Sequence, residues 1–555
     1  MHMKKTFWLV GLMLLALAVG ARGEDKVAEA RQLLEEGKAQ EAVALLAPVV
    51  LAEPQNGDAI LTLGKAYLAA GNPDSAATKG RAYIDIDRKR PDGYILVAQA
   101  SLAQGKVPDA YVVVRKGIKS TKNNPLLLSE LGFVHLAGDS IDQAIVSFSQ
   151  AKESDPKLAT AYRGLGDAYM RLNAESVAIL QYEESLKADS TQTDLKYELA
   201  KLYFKERRFN DAAALYESIL ASNPKDDAAS LELGQMLYLG KQYATAAKVL
   251  EPYVKRHTED MAAWKMYMDS LFQNKQMEAA VAAANEILKT EPKSPEAERV
   301  AGKGYYLLKD YPQSISHYQA LASFDTLSAD DARYLGKAYY DEGKNDSTAV
   351  KYLAESAVKD STVADTYSEL GSAYMRIKQF DKAGAAFERK FTLDPSATSA
   401  YVNYALCMEV LQNWQAGRGA ILTALERNPN YIPGYYHLGY VLSQMDSLQA
   451  AKRAYESFVG MADSLQSKYG NDLFSAYRFI AVVYLQEKNY PQAEKALNKA
   501  VALRPNDAEL HLWLAQTLHA LNKRDEARRE YERVLKIDPN NKDAKKGLDI
   551  LELYE

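Results

Sequence analysis

Apolar side chains recur in this chain at two helical spacings, which alternate and repeat with a period of 34 residues. Counted from the start of the period, the first set lies at positions 4, 7, 8 and 11, and the second at positions 20, 24 and 27. Spacings of three and four residues place side chains on one face of an α-helix. Each period is therefore predicted to form two amphipathic helices, and prolines such as Pro156 and Pro224 end the second helix.

The register follows from segments such as LGKAYL (63–68), LGFVHL (131–136) and LGDAYM (165–170), which lie at multiples of 34 residues from one another. With the first unit beginning at Gly23, this register gives fifteen units that end at Asn541. The units begin at residues 23, 57, 91, 125, 159, 193, 227, 261, 295, 329, 364, 398, 432, 474 and 508.

The thirteenth unit departs from the period by eight extra residues. Its second helix is predicted to continue to Leu465, until Gly470 and Asn471 end it. Such an extension could be a partner contact, a bend or a tolerated surface insertion, and the sequence leaves these alternatives open.

Small residues occupy two positions of the unit. Position 8 is Gly or Ala in every unit except the eighth, which has Met268. Position 20 is Ala except at Ser314 and Gly417, once the single extra residue of the tenth unit is allowed for. Only small side chains let two helix backbones approach closely. We therefore expect the two helices of each unit to cross at positions 8 and 20.

This pattern resembles the tetratricopeptide repeat family over about residues 23–541. The resemblance implies an all-α fold, a right-handed superhelical solenoid of antiparallel helix pairs whose concave groove is lined by positions 2, 5, 9 and 12 of each first helix. It also implies a function in binding. Residues 542–555, with Ala544, Leu548, Leu551 and Leu553 among charged residues, are predicted to form a capping helix on the last unit.

Position 12 of the sixth to tenth units is aromatic. The five residues are Phe204, Tyr238, Phe272, Tyr306 and Tyr340. They could form a ligand track along the groove. Because tyrosine is a common choice at this position in the family, the alternative is that they belong to the scaffold.

Basic residues collect at positions 5 and 9 of the eighth to tenth units. They are Lys265, Arg299, Lys303, Arg333 and Lys337. Neighbouring first helices lie side by side, so these side chains are expected to form one cluster in the groove, suited to the carboxylates of an acidic peptide or glycan. The alternative is that Asp269, Glu296, Asp330 and Asp331 pair with them. The family's clamp for chaperone tails is not matched, because position 6 holds Val300 and Tyr334 rather than Asn.

The first 23 residues predict a secretory signal peptide. Lys4 and Lys5 precede an apolar run over residues 7–20, and small residues follow around Ala21 and Gly23. An uncleaved anchor is the alternative, although the run is shorter than the ~20 residues that span a membrane. We therefore expect export to the periplasm of a bacterium, with no membrane-spanning segment after cleavage.

Composition limits the remaining classes of function. The chain has 47% apolar residues, 25% charged residues and a formal net charge of −5, so it is a folded protein and not a generally basic nucleic-acid binder. The single cysteine, Cys407, and the scattered histidines lack the spacing of metal ligands, and no phosphate-binding loop is found. We expect no catalytic residue, no metal and no cofactor.

Taken together, these features predict a non-catalytic scaffold or adaptor of the cell envelope. Its groove would bind partner proteins or peptides, including acidic segments, of a membrane-associated complex. The alternative is a protein that binds or senses an anionic non-protein ligand such as an envelope polysaccharide.

Overall fold

The computed structural model describes residues 24–552, and these residues form α-helices joined by short turns, without a strand. The signal peptide predicted over residues 1–23 and Leu553 of the predicted final helix lie outside the described residues. The described chain divides into two compact blocks, one ending at Arg256 and the other beginning at His257.

The N-terminal block contains fourteen helices within the described residues. They are α1 (24–35), α2 (Ala39–Ala52), α3 (Gly57–Ala69), α4 (Pro73–Ile86), α5 (Asp92–Ala103), α6 (Val107–Ser120), α7 (Pro125–Ala137), α8 (Ile141–Ser154), α9 (Ala159–Arg171), α10 (Glu175–Ala188), α11 (Thr193–Lys205), α12 (Phe209–Ser222), α13 (Asp227–Leu239) and α14 (Tyr243–Arg256).

The C-terminal block continues the same alternation. Its helices are α15 (Met261–Gln273), α16 (Met277–Thr290), α17 (Pro295–Leu307), α18 (Tyr311–Ala322), α19 (Ala329–Glu342), α20 (Asp346–Lys359), α21 (Ala364–Arg376), α22 (Phe380–Leu393), α23 (Thr398–Val410), α24 (Trp414–Arg427), α25 (Ile432–Gln444), α26 (Leu448–Ala462), α27 (Gln466–Gln486), α28 (Tyr490–Leu503), α29 (Ala508–Ala520), α30 (Arg524–Ile537) and α31 (Lys542–Glu552).

Consecutive helices form hairpins. Hairpin 1 is α1 and α2, hairpin 15 is α29 and α30, and in each the first helix is called helix A and the second helix B. The expected crossing is visible in hairpin 9, where the Ser314 hydroxyl at position 20 donates to the Gly302 carbonyl at position 8 at 2.7 Å. Small residues at these two positions therefore bring a helix B side chain within hydrogen-bond reach of the helix A backbone.

Glycine at position 8 has a second role, because the large side chain at position 24 of helix B lies against it. In hairpin 5, a Cβ atom on Gly166 would lie 2.3 Å from the Tyr182 ring, which is closer than real side chains approach. The Tyr182 side chain is buried there. A side chain at Gly166 would therefore displace the ring from the core of the hairpin.

The turn between helices A and B has the same backbone conformation from one hairpin to the next. Its middle residue, at position 15, is left-handed, for example with φ 72° at Gly105, 56° at Asn173 and 64° at Lys309. A left-handed residue ends helix A and reverses the chain within three residues. Glycine and asparagine adopt this conformation more easily than lysine does.

The second helix of the thirteenth unit is shorter than predicted. Helix α26 ends at Ala462, and the chain forms a short 3₁₀ turn over Asp463–Leu465, while Gly470 and Asn471 lie inside α27. The predicted extension of the second helix is therefore wrong, because most of the extra residues lengthen helix A of hairpin 14. The break falls at Tyr469, whose backbone is non-helical and whose buried ring lies 5.9 Å from that of Phe458.

Helix α31 packs against hairpin 15. Ala544 and Leu551 are buried, and Leu548 packs against the same apolar cluster. The close approach is possible because a Cβ atom on Gly547 would lie 2.4 Å from the Tyr531 ring. The polar side of α31 remains exposed, which is how a terminal helix covers the apolar face of a repeat stack.

Candidate binding surfaces

The five basic residues at positions 5 and 9 lie on α15, α17 and α19, the helices A of hairpins 8 to 10. Two of them, on α17, bond to carboxylates of the following hairpin and of the loop before it. Arg299 donates to Asp325 at 2.8 Å and to Asp331 at 2.9 Å. The Lys303 ammonium donates to Asp330 at 2.7 Å. These cations are therefore paired within the chain.

The other three basic residues are paired as well. Arg333 donates two hydrogen bonds of 2.7 Å to the Glu369 carboxylate, and Lys337 lies 2.8 Å from the same carboxylate. Lys265 lies 2.8 Å from Glu291. The hydrogen bonds that Arg333 donates to Glu369 raise the pKa of Arg333 above its ordinary value. Two cations thus share one half-buried carboxylate on α21.

The pairing interpretation is the one that these contacts support. Glu296, Asp330 and Asp331 lie within 4.0 Å of basic atoms of the cluster, as that interpretation requires. Asp269, also offered as a partner, accepts a hydrogen bond from Gln273 at 3.1 Å. The cluster is a network in which carboxylates balance the cations, rather than a free positive patch.

The same kind of bond recurs in other hairpins. Arg163 at position 5 of hairpin 5 lies 2.5 Å from Asp194, and Arg478 at position 5 of hairpin 14 lies 2.9 Å from Glu509. Both carboxylates stand at position 2 of the next helix A. The basic residues therefore brace neighbouring helices A. An acidic residue 31 positions after a basic one is the sequence signal that would have revealed this.

Three of the five aromatic residues at position 12 pack against an aromatic residue of their own hairpin. Edge-to-face or tilted contacts join them to the aromatic residue that begins helix B. These pairs are Phe204 with Phe209 at 5.4 Å, Tyr238 with Tyr243 at 5.9 Å and Tyr306 with Tyr311 at 5.7 Å. Phe204 and Tyr238 lie in the N-terminal block, and the others lie in the C-terminal block.

The remaining two position-12 residues differ in their contacts. The Arg376 guanidinium lies 3.4 Å from the centroid of the Tyr340 ring, so Tyr340 is covered by a cation. Phe272 is half-buried on α15. The contacts of the tyrosines and of Phe204 favour the scaffold interpretation over a continuous ligand track.

The junction of hairpins 9 and 10 is closed by a polar contact. The Tyr306 hydroxyl donates to the Asp341 carboxylate at 2.7 Å, and the Tyr334 ring lies edge-on to Tyr306 at 5.2 Å. Burial, and then the bond to Asp341, raises the pKa of Tyr306. Residues at position 12 of one hairpin and position 13 of the next thus connect the two hairpins.

The equivalent junction of hairpins 6 and 7 is open and apolar. A cavity of about 330 Å³, called here the edge cavity, is lined by Phe204, Phe209, Met236 and Leu239 among others. Phe204, Phe209 and Leu239 are 45%, 46% and 70% exposed. Sequence reasoning missed the edge cavity. Its signal was a phenylalanine at position 12 followed, in the next unit, by a leucine at position 13.

One buried carboxylate in the N-terminal block has no basic side chain within 4.0 Å in the described residues. Glu130, at position 6 of α7, is 6% exposed and accepts a hydrogen bond of 3.3 Å from the Gln99 amide. Burial raises the pKa of Glu130 to about 7. This carboxyl group therefore titrates near neutral pH.

The thiol of Cys407 and clusters of possible metal ligands are the reactive groups to consider in residues 24–552. Cys407 is buried, and burial raises the pKa of its thiol to about 12, so the nucleophilic thiolate is scarce at neutral pH. No group of three or more His, Cys, Asp or Glu side chains in this range is placed to hold a metal ion. No helix in the same range is long and apolar enough to cross a membrane.

Known proteins and families match several parts of the repeat array. Family models described as tetratricopeptide repeat match residues 33–100, 197–260, 240–298, 364–396, 432–464 and 484–548. Among curated proteins, DnaJ homolog subfamily C member 7 of Homo sapiens and of Mus musculus is 20% identical over 185 residues. The match covers 33% of this chain and 37% of each relative, so the chain spans less than half of their length.

Three solved structures are also similar to parts or all of this chain, with TM-scores of 0.30 to 0.40. The C-terminal part of a TPR repeat-containing protein from Cytophaga hutchinsonii is 21% identical with a TM-score of 0.40, covering 45% of this chain and 99% of that one. Naa15/Naa10 bound to HypK-THB is 15% identical with a TM-score of 0.30, covering 96% of each chain. YrrB, a TPR protein with an unusual peptide-binding site, is 16% identical with a TM-score of 0.32, covering 34% of this chain and 96% of that one.

Proposed function

This chain belongs to the tetratricopeptide repeat family, and from that premise we propose that it is a non-catalytic scaffold that binds partner proteins or peptides. Proteins of this family generally act in protein–protein interaction. The observation that carries the proposal is the spread of family matches from residue 33 to residue 548, over a described chain built of helical hairpins and a final helix. Repeat stacks of this kind present extended surfaces suited to binding.

A protein partner is favoured over an anionic polysaccharide. The polysaccharide alternative rested on free positive charge beside the aromatic residues at position 12. In hairpins 8 to 10 those cations are held by carboxylates of the same chain, at distances of 2.7 to 2.9 Å for Lys303, Arg333 and Arg299. An anionic polymer would have to displace these carboxylates before it could bind.

We further propose that the protein is exported to the periplasm and serves a membrane-associated complex. The support is the sequence of residues 1–23, with Lys4 and Lys5 before an apolar run. Cell fractionation together with N-terminal sequencing tests this. A periplasmic protein whose mature chain begins close to Gly23 is the expected result. A cytoplasmic protein that retains Met1 would contradict it.

Site-specific photocrosslinking in intact cells tests the scaffold function. A photoreactive amino acid is placed on helix A, at the exposed positions Lys201 of α11 and Tyr440 of α25. The matched controls are exposed positions on helix B, Lys248 of α14 and Val358 of α20. We expect discrete protein adducts from the helix A positions and weaker or different adducts from helix B. Absence of any protein adduct from all four positions would contradict the proposal.

A further inference from the structure

We propose that the edge cavity of hairpins 6 and 7 binds a partner segment in which one large apolar side chain is flanked by carboxylates. This inference rests on the proposed function, because it assigns a site and a partner chemistry to a scaffold. The edge cavity lies at the end of the hairpins where helix A turns into helix B, outside the position 5 and 9 cluster. Its chemistry follows from its walls and from the charges beside it.

The walls of the edge cavity are apolar and shaped by buried residues. Met236 and Leu237 are buried and form the inner surface, while the Phe204 and Phe209 rings meet edge to face at 5.4 Å. Leu239 is largely exposed at its mouth. About 330 Å³ is at the lower end of ligand pockets, so the edge cavity suits a side chain and its immediate neighbours. Exposed apolar walls of this kind gain from being covered.

Two cations without ion-pair partners in the described chain lie between lining residues in the sequence. Arg207 lies between Phe204 and Phe209 in the chain, and Lys241 lies between two further lining residues, Gly240 and Gln242. Within the described chain neither cation lies within 4.0 Å of a carboxylate, whereas the adjacent cations Lys205 and Arg208 are paired with Glu175 and Asp211. Arg207 and Lys241 are therefore available to a partner's carboxylates.

The charge of the two turns has a definite sign. The turn of hairpin 6 contains Glu206, Arg207 and Arg208, and the turn of hairpin 7 contributes Lys241. Because Glu183 and Asp211 pair with Arg208, the unpaired Arg207 and Lys241 outnumber Glu206, and this leaves a net positive charge beside an apolar cavity in a chain whose formal net charge is −5. Complementarity therefore favours acidic residues on both sides of the anchoring side chain.

The helical-hairpin fold requires neither the two unpaired cations nor the apolar opening. Arg207 and Lys241 occupy the left-handed position 15, with φ of 61° and 57°, where Gly105 and Asn173 stand in other hairpins. The apolar opening is likewise a local property, because the junction of hairpins 9 and 10 is closed by Tyr306 and Asp341. Apolar walls and unpaired cations thus coincide at a junction where the repeat could have had neither.

A peptide segment is the occupant that fits this shape. The edge cavity is concave and walled by two rings, so it receives a projecting side chain. An anionic membrane surface would instead require apolar side chains that project from the protein into the bilayer. The partner chemistry is therefore a leucine, phenylalanine or tryptophan within a run of Asp or Glu residues.

Binding of defined peptides to the full chain tests the proposal. The probes are labelled twelve-residue peptides with a central Trp, Leu, Ser or Ala and with flanks of Asp, Ser or Lys, followed by fluorescence anisotropy. We expect binding only with Trp or Leu between Asp flanks. Leu239→Asp should weaken it at least tenfold, and Leu51→Asp, which changes an 86% exposed leucine of α2, should leave it unchanged.

The charge requirement has its own matched pair of variants. Arg207→Asn with Lys241→Asn should weaken binding several-fold and reduce its salt dependence. Lys275→Asn with Lys309→Asn changes the same turn position in hairpins 8 and 9 and should have no effect. Asparagine stands at this position in hairpins 5 and 15, so the substitutions keep the turn.

Several results would overturn the proposal. These are the absence of binding to every peptide, equal binding with Lys flanks, binding unaffected by Leu239→Asp, or sedimentation with phosphatidylglycerol vesicles in place of peptide binding. Circular dichroism of each variant separates these results from misfolding. If the peptide results reject the edge cavity, protein adducts from Lys201 and Tyr440 in the Leu239→Asp variant would still support the scaffold function.

Discussion

The junctions of hairpins 6–7 and 9–10 occupy the same place in the repeat and have opposite chemistry. In hairpins 9–10, the Tyr306 hydroxyl and the Asp341 carboxylate bond at 2.7 Å across the junction. In hairpins 6–7, the corresponding residues are Phe204 and Leu239, which cannot form this bond and leave an apolar cavity. One hydroxyl and one carboxylate therefore decide whether a junction is closed by the protein itself or left for a partner.

A second pair of equivalent positions shows the same contrast for charge. Glu130 and Glu369 both stand at position 6 of helix A. Glu369 receives hydrogen bonds from Arg333 at position 5 of the preceding hairpin and an ion pair from Lys337 at position 9. For Glu130, position 9 of the preceding hairpin is Gln99, an amide. A carboxylate that is neutralised in one hairpin is buried without a charge partner in another.

The largest expected effect concerns Glu130. Its pKa is raised from 4.5 to about 7, so the folded chain holds this proton to a higher pH than the unfolded chain does. The contribution of protonated Glu130 to the free energy of unfolding is fully present below about pH 4.5 and is lost as the pH rises to about 7. Since one pKa unit corresponds to about 1.4 kcal/mol, the loss is about 3 kcal/mol. Hydrogen exchange of α7 measures it as the difference between wild type and Glu130→Gln across this range.

Gln99→Lys is the matched variant, because it gives Glu130 the partner that Lys337 gives Glu369. We expect it to lower the pKa of Glu130 and to flatten the pH dependence. Parallel pH profiles for wild type and Glu130→Gln would contradict the raised pKa of Glu130.

Removing the charge of Glu369 is expected to have the next largest effect. Glu369→Gln leaves the half-buried Arg333 and Lys337 without their carboxylate, at a cost of about 2 kcal/mol in local stability. Hydrogen exchange of α19 and α21 measures this cost. The control is Asp330→Asn, which breaks the more exposed pair with Lys303 and should cost less than about 1 kcal/mol. Equal losses in the two variants would contradict this ranking.

Tyr306→Phe should destabilise the junction of hairpins 9–10 by about 1 kcal/mol, because Asp341 loses its donor. The raised pKa of Tyr306 adds a pH signature. The wild-type advantage is present below about pH 10, the ordinary pKa of tyrosine, and is lost as the pH rises above it. Thermal unfolding at pH 8 and pH 11 tests this. A constant difference between the two proteins would argue against the bond.

The smallest effect on stability is expected from the reciprocal exchange. Phe204→Tyr with Leu239→Asp installs the residues of the closed junction at hairpins 6–7, and both positions are exposed, so stability should change by less than about 0.5 kcal/mol. Binding of an acidic peptide with a central Trp should nevertheless be lost. Retained peptide binding would show that the open junction is not what the peptide recognises.

The helical hairpins could be predicted from the sequence because their determinants are local. Positions 8 and 20 repeat within one unit, and the bond between Ser314 and Gly302 shows the crossing that they specify. The end of the thirteenth unit was predicted wrongly because Gly470 and Asn471 resemble a helix stop. The buried Tyr469 ring instead places the break before them, within the longer α27.

The candidate surfaces depended on contacts between units, which local periodicity does not contain. The basic residues were identified, but whether Arg333 is free depends on Glu369, 36 residues away. The edge cavity required a comparison of Phe204 and Leu239 with Tyr306 and Asp341. A side chain is free to bind a partner only when no neighbouring unit supplies an intramolecular contact, and the periodicity of the sequence does not show those contacts.

The ion pairs between successive helices A make the mechanical compliance of hairpins 8 to 11 respond to dissolved salt. Each pair links one helix A to the next, through contacts such as Lys303 with Asp330 and Arg333 with Glu369. The screening length falls from about 10 Å at 0.1 M salt to about 3 Å at 1 M. We therefore expect hairpins 8 to 11 to be stiffer at low salt and more flexible at high salt. Ionic strength would then change how readily this part of the chain bends around a bound partner.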